Sequence, residues 1–186
     1  EDINGDFISN AEMHYKSAEE FCESYNNLII RNMYEKIMNK HFSDVESLNM
    51  FSGKKMAFDR AIRFAKGKVH DGSKQILKMR EFILSYLSHE LNKELSNSSS
   101  YSVRCAYSNI ESFAKDNLSS ESVEVLDNSR KQVMDHFIQK FDQAYSSGDR
   151  FAATSISSEA DFFVQECNYV QGYVTVNQMK SSLGRL

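Results

Sequence analysis

Residues 73–96 read SKQILKMREFILSYLSHELNKELS, and this stretch decides the fold class. Apolar residues recur in it with the period of an α-helix, while charged and polar residues occupy the other faces. Neither proline nor glycine interrupts the run. The pattern predicts one long amphipathic helix whose apolar face packs against other helices. The residues of that face are Ile76, Ile83, Leu84, Leu87, Leu91 and Leu95.

Similar apolar stripes recur along the rest of the chain. The 186 residues contain no proline, whereas average composition would give about nine, and proline breaks helix interiors. The sequence therefore predicts an all-α protein, an antiparallel helical bundle of about six or seven helices. Beyond 73–96, the predicted helices run from Asn10 to Asn39, from Ser43 to Gly53, from Lys54 to Lys66, from Val103 to Ala114, from Ser119 to Gly148, and from Phe151 or Ser157 to Gln171.

The chain is predicted to form a single helical domain, residues 1–186. A linker of small polar residues at 96–100, Ser-Asn-Ser-Ser-Ser, joins two halves at 9–96 and 100–172. Residues 173–186 form a tail, and its start, Tyr173-Val174-Thr175-Val176, alternates like a short strand. No internal repeat is evident from the residues.

Composition argues against several classes of partner. The formal net charge is −4, and the 22 Lys and Arg are scattered among 26 Asp and Glu without a basic cluster. Nucleic acids and anionic membranes need clustered cations, so neither is predicted as a partner. A membrane span requires about 20 consecutive apolar residues, and no stretch of the sequence approaches that length.

No motif indicates catalysis, a metal or a cofactor. His89-Glu90 resembles the start of a zinc-binding helix, but Lys93 stands where the second histidine is required. The sequence has no glycine-rich phosphate loop, no serine elbow between glycines and no Cys-x-x-Cys pair. Its carboxylate pairs are spaced for solvated helix surfaces. A non-enzymatic protein without cofactor is therefore predicted.

The three cysteines fall at different positions on their helices. At 100° per residue, Cys22 lies within about 50° of the centre of its apolar stripe and Cys167 lies near the centre of its own, whereas Cys105 lies about 140° away. Cys22 and Cys167 are thus predicted to be buried and Cys105 to face outward. In an oxidising compartment, Cys22 pairs with Cys167 and Cys105 is left for an intermolecular bond. The alternative is three reduced thiols.

Two weaker patterns complete the candidate sites. Asn97-Ser98-Ser99 and Asn117-Leu118-Ser119 fit the N-glycosylation pattern, which is common in a chain rich in Ser and Asn. The eight Met, 13 Phe and nine Tyr supply side chains for core packing, and as an alternative they line a cavity for an apolar ligand or lipid.

One segment resembles a known family. Residues 137–148 read FIQKFDQAYSSG and are followed by Phe151-Ala152-Ala153 and a serine-rich helix start. This run resembles the globular repeat domains of spider silk proteins, in which Phe-x-x-x-Phe-x-x-Ala precedes a small-residue turn with Gly and a new helix. Insect fibroin light chains are similar in a general way. This chain is more charged, carries three Cys and shows one copy. The resemblance implies an extracellular assembly component without catalytic residues.

The leading functional hypothesis is a helical bundle that binds another protein or associates with itself. In one version it is a secreted structural component. Two alternatives are a carrier of an apolar small molecule held between helices, and an intracellular effector or regulator that binds a partner protein. The hypotheses share the absence of a reactive motif and differ in compartment and ligand.

Overall fold

The computed structural model describes residues 6–21, 28–66, 68, 72–97 and 99–184. Within these ranges the protein is all-α, with eight helices and no strand, which confirms the predicted fold class. The number of helices exceeds the predicted six or seven. The helices are α1 (Asp6–Phe21), α2 (Leu28–Ser47), α3 (Phe51–Ala65), α4 (Ser73–Asn97), α5 (Ser100–Asp116), α6 (Ser120–Ser146), α7 (Arg150–Glu166) and α8 (Val170–Leu183).

The chain divides into two compact units, Glu1–Ser85 and Tyr86–Leu186. The division falls inside α4, about three helical turns before the predicted linker at 96–100. That linker is short in the structure, since α4 ends at Asn97 and α5 begins at Ser100 with Ser99 as its N-cap. The Ser99 side chain accepts a hydrogen bond from the Ser102 amide, which satisfies one free donor of the helix start.

Aromatic rings form the core of the first unit. Tyr34 of α2 stacks on Phe64 of α3 with centroids 5.5 Å apart, and Tyr15 of α1 meets both rings at 5.6–5.8 Å. The buried Lys54 of α3 donates from Nζ to the Val45 carbonyl at 2.9 Å. Because this carbonyl lies in the last turn of α2, the ammonium group stabilises the carbonyl end of that helix.

In the second unit, the 27-residue α6 contacts α5, α7 and α8. Helices α5 and α7 both pack on α6, and α8 packs on α7 and α6. Phe163 of α7 lies between Tyr107 of α5, at 5.0 Å between ring centroids, and Phe137 of α6, at 6.0 Å. These three rings therefore pack α5 and α7 against the long helix α6.

The second unit contains a repeat that the residues did not reveal. Residues 101–130 and 151–180 each form a helix, a short turn and the start of a second helix, and all but three of the 30 aligned positions are equally buried, half-buried or exposed. Both segments bury a small residue early in their second helix, Ser122 and Gly172. Helices α5–α6 and α7–α8 are therefore two copies of one helical hairpin.

Three boundary predictions were wrong. Residues 43–46 do not open a helix, because they lie inside α2, which continues to Ser47. The predicted helix from Asn10 to Asn39 is two helices, α1 and α2, with 22–27 outside the described residues. Residues 173–176, predicted as a strand or tail, lie in α8. The helix predicted to reach Gln171 is α7, which ends at Glu166. Two residues later, Asn168 has a left-handed φ of 49°, and this conformation stops the helix.

Two glycines inside helices are expected to respond oppositely to alanine. A Cβ at Gly172 would lie 2.5 Å from Val164 Cγ2 and 2.9 Å from Tyr169 Cδ1, so Gly172→Ala is expected to lower the free energy of unfolding by about 1–3 kcal/mol. A Cβ at Gly53 would meet Leu48 at an ordinary 3.5 Å, so Gly53→Ala is expected to raise it by up to about 1 kcal/mol. Urea unfolding followed by circular dichroism measures both. Changes of the same sign would contradict the close contact at Gly172.

Candidate functional site

A half-buried arginine joins three helices of the second unit, α5, α6 and α7. Arg130, near the middle of α6, donates from Nε to Tyr107 Oη of α5 at 3.0 Å. Its Nη2 donates to the Cys167 carbonyl, at the end of α7, at 3.3 Å. The Glu111 carboxylate lies 3.8 Å from Nη2, and Nη1 donates to Asp127 at 3.1 Å. The guanidinium is therefore a planar donor that fixes where the end of α7 meets α5.

Beside this joint, α5 and α7 form a continuous exposed surface. The Arg104 guanidinium lies 4.3 Å from the centroid of the Phe162 ring and 2.8 Å from Glu166 Oε2. One turn before, Tyr101 is 74% exposed, and Cys105, the residue after Arg104, is also exposed. We call these five residues, Tyr101, Arg104, Cys105, Phe162 and Glu166, the α5–α7 surface.

The α5–α7 surface contains two aromatic residues, an arginine and an exposed cysteine. Tyrosine and arginine are enriched among the residues that contribute most to protein–protein affinity, and exposed aromatic rings supply contact area at little entropic cost. Phe162 is 48% exposed, although its immediate neighbour Phe163 is fully buried. Arg104 contacts both the Phe162 ring and the Glu166 carboxylate, so it links two residues of α7 to α5.

The structure describes two of the three predicted cysteine sites. Cys105 is exposed on α5. Cys167 is a buried free thiol whose Sγ donates to the Phe163 carbonyl at 2.9 Å, and burial raises its pKa. Cys22 lies outside the described residues. The structure therefore lends no support to the Cys22–Cys167 disulfide, because Cys167 is free and satisfies its donor within its own helix.

The two predicted glycosylation sites also differ. Asn117 is buried at the end of α5, and its Nδ2 donates to the Phe113 carbonyl at 3.0 Å. A glycan is attached at Nδ2 and needs solvent around it, so the structure contradicts glycosylation at Asn117. Asn97 is the last residue of α4, and its side chain lies outside the described residues, as does Ser98.

A buried histidine and a half-buried glutamate face each other in the first unit. His41 Nε2 of α2 lies 3.0 Å from Glu12 Oε1 of α1, and His41 packs on the Phe64 ring at 5.7 Å. Burial lowers the pKa of His41 to about 4, with Asp44 raising it and Arg60 lowering it in smaller degree. Burial likewise raises the pKa of Glu12. Both shifts favour the uncharged forms, so the imidazole is neutral at physiological pH.

This histidine makes the stability of the fold depend on pH. Below about 6.5 the unfolded chain protonates His41, whereas the folded chain stays neutral down to about 4. As the pH falls from about 6.5 to about 4, the free energy of unfolding is therefore expected to decrease by up to about 3 kcal/mol. Protonation of Glu12, whose folded pKa is raised, acts in the opposite direction and makes this an upper limit.

Urea unfolding at several pH values measures the effect. His41→Phe keeps a ring against Phe64 and is expected to flatten the decrease between pH 6.5 and 4 relative to the unmodified protein. His89→Gln, at an exposed position of α4, is the matched control and is expected to retain it. An unchanged decrease in His41→Phe would show that other groups cause it.

The described residues contain no group of three or more His, Cys, Asp or Glu side chains that could hold a metal ion. In the same part of the chain, no helix has both the length and the apolar composition of a membrane span.

By its fold and surface, the chain is an all-α protein with a duplicated helical hairpin and an aromatic, arginine-containing patch. It matches no family model, no curated protein and no solved structure. The resemblance to helical silk-gland proteins therefore stays a prediction.

Proposed function

We propose that this protein acts by binding another protein through the α5–α7 surface. The single observation behind the proposal is the Arg104 guanidinium stacked 4.3 Å from the half-exposed Phe162 ring, next to the exposed Tyr101 and Cys105. Binding free energy at such patches is concentrated in aromatic and arginine side chains that become desolvated on association. The duplicated hairpin supplies the rigid support, because the buried face of α7 is fixed by Phe163 and Arg130.

In the oligomeric version of this proposal, Cys105 forms an intermolecular disulfide. An exposed thiol on a helix surface can reach a second chain, and such a bond persists only in an oxidising compartment. A secreted structural component, as the silk-like segment implies, fits this version. Partner-binding with reduced cysteines fits the intracellular alternative.

A photo-crosslinking amino acid at position 101 tests the proposal. In an extract of the natural source, we expect a discrete cross-linked species from position 101 and none from position 131, an exposed position on α6. Equal cross-linking at both positions, or none at 101, would contradict binding at the α5–α7 surface.

Electrophoresis of protein from its natural source distinguishes the two redox versions. A dimer or larger species that appears only without reductant, and is lost in Cys105→Ser, supports the disulfide-linked version. Free thiols at all three cysteines contradict that version and leave non-covalent binding, which the cross-link tests separately.

A further inference from the structure

Helices α1 and α2 of the first unit enclose a groove of about 800 Å³. This volume lies within the range of about 300–1,000 Å³ that is typical of small-molecule sites. Its floor is apolar, and two of the floor residues, Ile8 and Ile37, are almost completely buried. The residues around it are Ile8, Asn10, Ala11, His14, Met33, Lys36, Ile37 and Lys40.

The residues around this groove include two lysines and no acidic residue, although the Asp44 carboxylate pairs with one of the lysines. Lys36 and Lys40 lie one turn apart on α2, and Asn10 and His14 lie on α1; none of the eight residues around the groove is acidic. Lys40 Nζ donates a hydrogen bond to Asp44 Oδ1 at 2.8 Å, so its charge is already paired. Lys36 is exposed and has no ion-pair partner among the described residues, so its ammonium group is available to a ligand.

We propose that the α1–α2 groove binds a single-chain lipid with an anionic headgroup, such as a fatty acid. The acyl chain lies along the half-exposed Ala11 and Met33, and the headgroup lies at the rim beside Lys36. Burial of the methylene groups favours binding, while the Lys36 ammonium group selects a negative headgroup over a neutral or positive one.

The size and charge of the groove together specify this occupant. Its residues span 8–14 on α1 and 33–40 on α2, which is about 10 Å along each helix axis. A medium-length acyl chain fills such a length, and the few polar groups at one rim match the pattern of apolar pockets with convergent polar groups. The site lies in the first unit and is independent of the α5–α7 surface.

Calorimetric titration of the full chain with decanoate, decanol and decyltrimethylammonium tests the proposal. Decanoate is expected to bind with a Kd on the order of 0.1–1 mM. It is expected to bind more tightly than the neutral decanol or the positively charged decyltrimethylammonium. The double variant Lys36→Gln, Lys40→Gln is expected to weaken decanoate by about tenfold and to leave decanol unchanged. Ala11→Trp, which fills the groove, is expected to abolish binding of all three. Lys131→Gln is the control, because Lys131 lies in the second unit and is far from the groove in sequence. It is expected to leave decanoate binding unchanged.

A second titration, with decyl phosphate, identifies the kind of anionic headgroup. If decyl phosphate binds more tightly than decanoate, the natural headgroup is a phosphate, and the shared anionic chemistry stands. The proposal is overturned if decanol and decanoate bind equally and the lysine variant changes neither, if Ala11→Trp leaves binding intact, or if no amphiphile binds. It is equally overturned if an acidic amphipathic peptide binds and decanoate does not.

Discussion

Phe163→Ala is expected to lower the free energy of unfolding by about 3–5 kcal/mol, the cost of removing a fully buried ring. Phe163 is 1% exposed, and its ring lies 5.0 Å from Tyr107 of α5 and 6.0 Å from Phe137 of α6 between centroids. Its removal leaves a cavity where three helices meet, and rigid neighbouring rings fill it only in part. Urea unfolding monitored by circular dichroism measures the change.

The adjacent residue is a matched control. Phe162→Ala removes a ring of the same size from a half-exposed position, together with its contact with Arg104, so it is expected to cost much less than Phe163→Ala, about 1 kcal/mol. Similar costs for the two variants would show that α7 does not face the unit with Phe163 inward.

Arg130→Ala is expected to lower the free energy of unfolding by about 3 kcal/mol, because it removes hydrogen bonds made by a charged, half-buried donor. The Tyr107 hydroxyl and the Cys167 carbonyl lose their guanidinium partner together. Burial raises the pKa of Tyr107, so its hydroxyl stays protonated and cannot compensate by ionising. The same urea titration provides the measurement.

Two variants delimit the Arg130 effect. Lys131→Ala, at the next and exposed position of α6, is expected to change stability by no more than about 0.5 kcal/mol. Arg130→Met keeps the apolar stem and is expected to recover part of the loss. If Arg130→Ala is as mild as Lys131→Ala, the three-helix joint contributes little to stability.

The period of the apolar residues predicted the fold class correctly. It did not predict the start of α8, which depends on close packing between helices. The stripe in residues 73–96 predicted α4 correctly. Gly172 and the alternating residues 173–176 indicated a helix end and a strand, yet they open α8. Gly172 is buried there because its missing Cβ lets α8 approach Val164. Such a contact depends on a neighbour in space, which periodicity does not contain.

The hairpin duplication was invisible in the residues for a related reason. Of the 30 aligned positions in 101–130 and 151–180, only two are identical, Ser108 with Ser158 and Phe113 with Phe163. The two copies keep which positions are buried and change what fills them, as when Tyr107 is replaced by Ser157. Cores tolerate such changes when volume and pattern are kept, so the repeat shows only in the pattern of burial.

The candidate surface was predicted in part. The position of Cys105 opposite its apolar stripe predicted an outward thiol, and it is exposed. Arg104 and Phe162 lie 58 positions apart, so their stacking depends on how α5 and α7 pack on α6. Only the three-dimensional structure brings Tyr101, Arg104 and Phe162 into one surface.

The most direct test of a protein-binding role is the affinity for the partner that the cross-link at position 101 identifies. Tyr101→Ala and Arg104→Ala are each expected to weaken that affinity by about tenfold or more, with Lys131→Ala as the control. Circular dichroism and urea unfolding establish that the variants remain folded. Tyr101→Ala and Arg104→Ala proteins that bind as tightly as the unmodified chain would contradict the proposed role of the α5–α7 surface.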